Sequence, residues 1–434
     1  MSAHQLSAHP LPTHAPGASG CVLHSTGLHL ARARAWLHAF AEHAPTVWQG
    51  ARDAMAEARP VPPSGPGLAA TTLHPSPDPA HPVDTRITQR SQPPFPSHFA
   101  RTHAMNESAR IFVADHQGMV GAAVLRQLLV QQHPAHHLIT RDEHELPLHD
   151  QAAVLSFLAS ERIDRIYLPV PSPSAPAQQH PAFPLLALSQ LIHAASVHRV
   201  PQLVLIGTPH VYPDKALSPL AEEDLLTGRL APGSENVALA QIAAIQLCEN
   251  LSRPGAGTHA RTPALDYRCL IIPTPYGPGD CIDSPDGHTV AGVIHRLHHA
   301  RLTHQPRITL PRPHDTWNEY LHVDDCARAA IHLMNVPYGA YRRQVQHGVA
   351  HLNAGGSHHG SLGVLAHAVA HVVGYTGVID PPPTEPEWTA PRRLDSYRMR
   401  SLGWTPTLHM EDALALTYAH NLAHHSEWPS ATPA

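Results

Sequence analysis

The chain has 434 residues, 42% of them hydrophobic, and a formal net charge of -5. This length is sufficient for two domains and a large core, and the negative charge argues against a nucleic-acid surface. No run of about 18 apolar residues occurs, so we expect no membrane span. The five cysteines are scattered and form no CxxC pair, which argues against disulfides and zinc and favours a reducing, cytoplasmic location.

Histidine and proline are abundant, with 40 and 46 residues, whereas lysine occurs once, at Lys215. So many histidines would suit metal binding or pH sensing. They occur in every region without a repeated ligand spacing, which favours a drift in codon usage that filled polar surface positions. We therefore predict no metal site.

Residues 1–104 form an extension rich in Pro, Ala, His and Ser, with little strand pattern. Proline-rich runs predict disorder around one helical segment near residues 28–58. Met105 stands directly ahead of the first predicted strand. Either Met105 is the true start, or the extension is a dispensable tail.

The segment RIFVADHQGMVG at 110–121 is typical of the first strand and turn of a dinucleotide-binding domain. Gly118 and Gly121 stand where such a motif has its second and third glycines, which admit the pyrophosphate and allow close helix packing. Asp115 replaces the first glycine. Aspartate can adopt the left-handed conformation, so the turn remains possible. Its carboxylate would, however, lie near the cofactor phosphates and repel them.

From residue 110 onwards short apolar strands alternate with helices, which predicts a parallel sheet covered on both faces. We predict strands at 111–114, 137–140, 165–169, 203–207 and 269–273, and helices at 119–132, 151–161, 183–198 and 236–252. From about residue 277, short strands mix with helices near 288–300, 323–334, 361–373 and 410–423. The expected fold is α/β: a Rossmann-like doubly wound parallel sheet with a smaller C-terminal α/β substrate domain, and residues 426–434 as a tail.

Eight short stretches between residues 108 and 425 occur in a familiar order and spacing. They are HQGMVG at 116–121, TRDE at 140–143, ASERIDRIYL at 159–168, VYP at 211–213, LCEN at 247–250, YGP at 276–278, YLHVDD at 320–325 and LGW at 402–404. Together they resemble the GDP-L-fucose synthases, which are extended short-chain dehydrogenase/reductases of the NAD-dependent epimerase/dehydratase type. The resemblance implies one such domain over residues 105–425.

The family chemistry that the resemblance implies has two stages. GDP-4-keto-6-deoxy-mannose is epimerised at C3 and C5, and NADPH then reduces its 4-keto group. The implied partners are therefore a GDP-linked nucleotide sugar, NADP(H) and a second copy of the chain, paired through the helices at 183–198 and 236–252. The matching cofactor positions are Gly118, Met119, Val120, Gly121 and Arg141. Arg141 would hold the 2′-phosphate, although it could also be an ordinary surface arginine.

Four residues match positions that act on the sugar in this family. Thr208 takes the place of the Ser or Thr whose hydroxyl binds the keto oxygen, and His210 replaces the cysteine of the epimerisation. His288 matches the epimerisation histidine. Arg296 matches an arginine that binds the sugar nucleotide.

The tyrosine and lysine of the reduction are missing. In the family, the tyrosine donates a proton to the developing alkoxide, and a lysine four residues later lowers its pKa. Val237 and Gln241 occupy these positions, and no YxxxK sequence exists anywhere in the chain. Valine has no proton to give, and a neutral amide cannot lower a pKa by charge.

Further departures from the family accompany this loss. Gln117 replaces an arginine of the first turn, Pro275 an asparagine and Asn318 an arginine, and the loop at 169–174 is rich in proline. Two hypotheses remain open. The chain is an impaired enzyme in which Tyr212 or a histidine serves as proton donor, or it is a non-catalytic binding or scaffold protein that retains only the fold.

Overall fold

A computed structural model describes residues 109–170, 183–253, 265–280, 289–310, 317–346, 348–356, 358–380 and 392–424. The predicted extension at 1–104 with its helix near 28–58, the candidate start Met105 and the tail at 426–434 lie outside the described residues. His288 also lies outside them.

The strands of the described residues are short and mostly apolar. In chain order they are β1 Ile111–Val113, β2 Leu138–Ile139, β3 Arg165–Pro169, β4 Gln202–Gly207, β5 Asp266–Ile271, β6 Thr274–Tyr276, β7 Arg307–Thr309, β8 Trp317–His322, β9 Leu352–Asn353, β10 His358–Ser361 and β11 Val378–Asp380. Six of them form one sheet in the order β2-β1-β3-β4-β5-β9. Every neighbouring pair in this sheet is parallel.

Helices connect and cover these strands. They are α1 Met119–Val130, α2 Gln151–Ser160, α3 Phe183–Val197, α4 Glu235–Ser252, α5 Val290–Leu302, α6 Val323–Asn335, α7 Tyr338–Gln344, α8 Leu362–Val373, α9 Tyr397–Ser401 and α10 Met410–His424. α1 packs against α6, and α3 packs against α4. None of these helices is long and apolar enough to cross a membrane.

Both faces of the parallel sheet are buried. Ile111 and Val113 of β1 pack into one core with residues of α1 and α6. Between them, Phe112 points to the other face, where its ring lies 4.9 Å from the ring of Phe157 in α2. Because successive strand side chains alternate between faces, this pattern requires helices on both sides. The predicted Rossmann-like doubly wound sheet is confirmed.

Local chemistry fixes several helix ends. Asp150 begins α2, and its Oδ1 atom accepts the backbone N–H groups of Ala152 and Ala153 at 2.9 and 3.1 Å. Thr289 caps α5 in the same way through the N–H of Gly292 at 3.0 Å. Gly374 ends α8 with φ 79°, a left-handed conformation that glycine adopts without strain.

The later part of the chain contributes to two layers. One layer is a three-stranded sheet in the order β10-β8-β6, next to which α5 and α8 pack against each other. β7 and β11 form a separate two-stranded sheet. However, α6 packs on the central sheet, and β9 extends that sheet as its edge strand next to β5. The chain after residue 277 therefore builds part of the Rossmann-like sheet as well as the smaller C-terminal layer.

Arg268 joins β5 to the end of α6. It is 1% exposed, and its Nε and Nη2 atoms lie 2.7 and 2.5 Å from the carboxylate oxygens of Asp266. Its Nη1 atom donates to the carbonyls of Leu333 and Val336, the latter at 2.7 Å. These carbonyls lie at the C-terminus of α6, where a cation satisfies free acceptors and the helix dipole together. Arg268 thereby fixes α6 on the sheet.

Replacing Arg268 by methionine is expected to lower the free energy of unfolding by about 3–5 kcal/mol, because the change removes the buried cation that pairs with the half-buried Asp266 and with two carbonyls. Urea unfolding followed by circular dichroism measures the change. Arg307→Met is the control, because it breaks an ion pair with Asp380 in which Arg307 is 66% exposed, a type worth at most about 1 kcal/mol. Equal losses in the two variants would contradict the anchoring role.

Candidate active site

The carboxyl ends of β1 and β4 lie at the same edge of the parallel sheet, where ligands bind in this architecture. Thr208 directly follows β4 and precedes a short 3₁₀ turn, Pro209–Val211. The turn after β1 carries Asp115 and Gly118. Val237 and Gln241 lie in the first two turns of α4, which packs against the 3₁₀ turn.

Gln241 is hydrogen-bonded to Thr208. Its Oε1 atom accepts the backbone N–H of Thr208 at 2.7 Å, and its Nε2 atom donates to Thr208 Oγ1 at 3.0 Å. Gln241 is completely buried. A Cβ atom built on Gly207 would lie 2.6 Å from Gln241 Oε1, so a larger residue at the end of β4 would displace the amide from this position. The structure thus brings Thr208 and Gln241 together, and the amide occupies both polar groups of the threonine.

Tyr212 is buried in a separate polar cluster. Its hydroxyl donates to Asn353 Oδ1 at 2.6 Å and lies 2.7 Å from His351 Nε2. Burial, followed by the charge of Glu222, raises the pKa of Tyr212 well above 10. Its proton is therefore held more tightly than that of an ordinary tyrosine, which makes Tyr212 a poor substitute for the missing acid.

That cluster depends on residues far apart in the chain. Asn353 also donates to the Leu220 carbonyl at 3.0 Å, and its backbone N–H donates to Glu222 at 3.0 Å. Burial raises the pKa of Glu222 to about 7. The sequence does not predict this cluster, because no local spacing connects 220–222 with 351–353.

His210 lies on the exposed side of the 3₁₀ turn. Desolvation, followed by the charge of Arg392, lowers the pKa of His210 below its ordinary value. Arg392, which sequence analysis also missed, donates to the carbonyls of Pro209 and Tyr212, each at 3.3 Å. The ring of His210 is consequently neutral at physiological pH and able to accept a proton. Arg296 is exposed on α5.

The turn after β1 has the conformation that the sequence predicts. Asp115 has φ 51°, and its carbonyl accepts the N–H of Gly118 at 3.0 Å. A Cβ atom on Gly121 would lie 2.1 Å from that same carbonyl oxygen, so Gly121 is needed for close packing of α1 on the turn. Met119 and Val120 are half-buried in the first turn of α1.

The carboxylate of Asp115 covers Gly118. A Cβ atom built on Gly118 would lie 2.2 Å from Asp115 Oδ2. Burial raises the pKa of Asp115 from its ordinary 3.8 to about 6, opposed by the Gly118 N–H and His116 and reinforced slightly by Glu143. At neutral pH the group is nevertheless ionised, so a negative charge lies on the turn.

Arg141, at the end of β2, is held by neighbouring groups. Its Nη2 atom lies 3.0 Å from Glu161 Oε1, and its Nη1 atom donates to the carbonyl of Thr140 at 2.7 Å. The guanidinium also lies over the ring of Phe157, 5.5 Å from its centre. Glu161 is shared with Arg110. Arg141, which the resemblance assigns to a 2′-phosphate, is therefore already paired within the chain.

Comparison with known proteins agrees with this architecture. A model of the NAD dependent epimerase/dehydratase family matches residues 111–345. GDP-L-fucose synthase of Escherichia coli K12 is 34% identical over 316 residues, covering 71% of this chain and 95% of the relative. GDP-L-fucose synthase 1 of Arabidopsis thaliana is 31% identical over 320 residues, covering 72% and 93%. The chain belongs to the NAD dependent epimerase/dehydratase family and is a homologue of GDP-L-fucose synthases.

Solved structures show the same fold. A GDP-L-fucose synthetase from Naegleria fowleri bound to NADP superposes with a TM-score of 0.62 at 16% identity, covering 75% of this chain and 96% of the other. A GDP-D-glycero-L-gluco-heptose synthase from Campylobacter jejuni, solved in the presence of NADPH, gives 0.64 at 22% identity and covers 73% and 99%. At these identities the likeness establishes the architecture only.

The residues present do not fit the NADP(H) that family members use. A pyrophosphate approaching Gly118 would meet the Asp115 carboxylate, which lies 2.2 Å from the position of a Cβ on that glycine. A 2′-phosphate would have to draw Arg141 away from Glu161, 3.0 Å from it. The turn at Gly118 retains the backbone conformation of a dinucleotide-binding site, whereas the negative charge of Asp115 opposes the phosphates of NADP(H).

Gln241→Met is expected to lower the free energy of unfolding by about 1–3 kcal/mol, because the half-buried N–H and hydroxyl of Thr208 lose their buried partner while the side-chain volume is kept. Urea unfolding gives the value. Gln246→Met, on the same helix but half-buried, should change it by less than about 0.5 kcal/mol. An unchanged stability in Gln241→Met would show that the amide is not holding Thr208.

Asp115→Asn is expected to gain stability relative to the wild type as pH rises. The pKa of Asp115 is raised to about 6 from 3.8, so folding disfavours the ionised form. The wild type therefore loses up to about 3 kcal/mol of stability between pH 4 and pH 6, and no more above pH 7. Asparagine has no such loss. Thermal melts of both proteins from pH 4 to pH 8 test this, and a difference in melting temperature that is constant with pH would contradict it.

Proposed function

We propose that this homologue of GDP-L-fucose synthase has lost the reduction of the 4-keto group of GDP-4-keto-6-deoxy-mannose. The observation that carries the proposal is the pair of hydrogen bonds between Gln241 and Thr208, at 2.7 and 3.0 Å. An amide side chain stands at the position that the family resemblance assigns to the lysine. The group beside the candidate catalytic hydroxyl is therefore neutral.

Reduction of a ketone requires a proton for the alkoxide oxygen. Val237 has no proton to donate, and the amide of Gln241 cannot lower a neighbouring pKa through charge. Thr208 Oγ1 accepts from Gln241 Nε2 at 3.0 Å and donates to Gln241 Oε1 at 3.4 Å, so a keto oxygen would compete with the amide oxygen for the hydroxyl proton. Loss of a positioned acid alone removes about 10²–10⁴ in rate, and loss of two groups that act as a unit need not add.

The epimerisation makes different demands. It moves protons at carbon atoms next to the keto group and needs no hydride donor. His210 is neutral and accessible, as a proton acceptor must be. With His288 as its partner by resemblance and Arg296 for the sugar nucleotide, proton exchange at C3 and C5 is the catalytic activity that the chain could retain.

A second candidate is a non-catalytic nucleotide-sugar binding or scaffold protein that retains the fold alone. The ion pair between Arg141 and Glu161 favours this second candidate, because an arginine that binds a ligand is normally available to that ligand. Under either candidate we propose a cytoplasmic homodimer. The packed helices α3 and α4 would form the interface, and Leu239 on α4 is 41% exposed.

The full-length chain with GDP-4-keto-6-deoxy-mannose and NADPH in D₂O separates these functions. We expect no oxidation of NADPH above background, because the proton donor is missing. Deuterium entering the sugar at C3 and C5, followed by NMR, would identify retained epimerisation. Its absence, with binding of the sugar nucleotide, would identify the non-catalytic protein. If the wild type oxidises NADPH, the assay is repeated with Thr208→Val. Oxidation that this change abolishes comes from the candidate site and would contradict the proposal. Oxidation that survives the change does not depend on Thr208.

A further inference from the structure

We propose that Asp115 is the residue that excludes dinucleotides from this chain, because its carboxylate occupies the space over Gly118 into which a pyrophosphate would have to fit. This inference concerns binding and does not depend on whether reduction has been lost. Val237 and Gln241 lie on α4 and are not part of the turn.

The Asp115 carboxylate lies where a ligand would approach the turn. Glycine at the second place of such a turn allows a ligand to approach the backbone, because it carries no side chain. Around a Cβ atom built on Gly118, Asp115 Oδ2 would lie at 2.2 Å, Cγ at 2.7 Å and Oδ1 at 2.8 Å. The carboxylate therefore fills the space that the absence of a side chain on Gly118 leaves open.

The backbone beneath the carboxylate is fixed. Asp115 is in the left-handed region, with φ 51°, and its carbonyl accepts the Gly118 N–H at 3.0 Å. A Cβ atom on Gly121 would be 2.1 Å from that carbonyl oxygen. Because α1 rests directly on the backbone of residue 115, the turn has little room to move away from an incoming ligand.

The charge of the Asp115 carboxylate also opposes the binding of a pyrophosphate. The N-terminus of a helix attracts an anion through its free N–H groups and its dipole. The first turn of α1 contains no acidic residue, so Asp115 supplies this anion from within the chain. A pyrophosphate would bring further negative charge to within a few ångströms of it. At such distances, like charges near a protein surface lower affinity on the order of 100-fold or more.

Among the residues that the structure describes, the groups acting on Asp115 include both signs of charge. Glu143 adds negative charge near Asp115, and His116 is the opposing group. Arg141, the cation expected at the cofactor site, is paired with Glu161, which also pairs with Arg110. The turn therefore has the backbone conformation of a dinucleotide-binding site. The Asp115 carboxylate, however, places a negative charge where the pyrophosphate would bind.

The test compares NADPH binding by the full-length wild type with that of Asp115→Asn and Asp115→Gly, using fluorescence titration and calorimetry without any sugar nucleotide. Asparagine keeps the volume and removes the charge, and glycine removes both. Asn and Gly both tolerate the left-handed conformation, so both variants should fold, as thermal melts would verify. We expect no wild-type binding up to millimolar NADPH and binding at least about 100-fold tighter in Asp115→Gly. Asp115→Asn should show a smaller gain, because its side chain still covers Gly118.

Asp412→Asn is the matched control, because it removes an exposed carboxylate from the first turn of α10 instead. Tighter binding in the Asp115 variants, with none in Asp412→Asn, would support the proposal. Wild-type binding as tight as that of the variants would overturn it. Folded Asp115 variants that still fail to bind NADPH would also overturn it, whatever the outcome for reduction.

Discussion

Burial of a parallel sheet on both faces is the constraint on which the rest of this structure depends. It requires each strand from β1 to β5 to be short and apolar, and it requires helices in the connections. It also brings the carboxyl ends of β1 and β4 to one edge, where Asp115 and Thr208 lie. The location of the site is therefore a consequence of how the core is built, and it persists when the residues of the site change.

Three positions of the candidate site share one physical property: each is contacted by another group of the chain. Gln241 bonds Thr208, Glu161 pairs with Arg141, and Asp115 covers Gly118. A catalytic site ordinarily keeps such groups directed at a ligand that is not yet there. Here they are directed at one another, which explains how the fold of a GDP-L-fucose synthase homologue coexists with a site that lacks the YxxxK pair.

The sequence predicted the fold well, because its signal is local. Apolar strands such as Arg165–Pro169 and the segment around Gly118 carry their own periodicity and turn chemistry. Short strands such as Leu352–Asn353 could not be identified, because two residues have no periodicity and pair only when β5 is in place. In the site, the juxtaposition of Thr208 and Gln241 followed from the resemblance. The contacts of Tyr212 with His351 and of Arg392 with the 3₁₀ turn were not predictable, because they join segments about 140 to 180 residues apart.

The hydrogen bonds between Gln241 and Thr208 also have a consequence for the protein without a ligand. When an enzyme leaves buried donors without partners, its empty form is strained, and substrate or cofactor relieves that strain by mass action. In this chain the donors at the end of β4 already have their acceptor. The N–H and hydroxyl of Thr208 therefore need no ligand to complete their hydrogen bonds in the resting molecule.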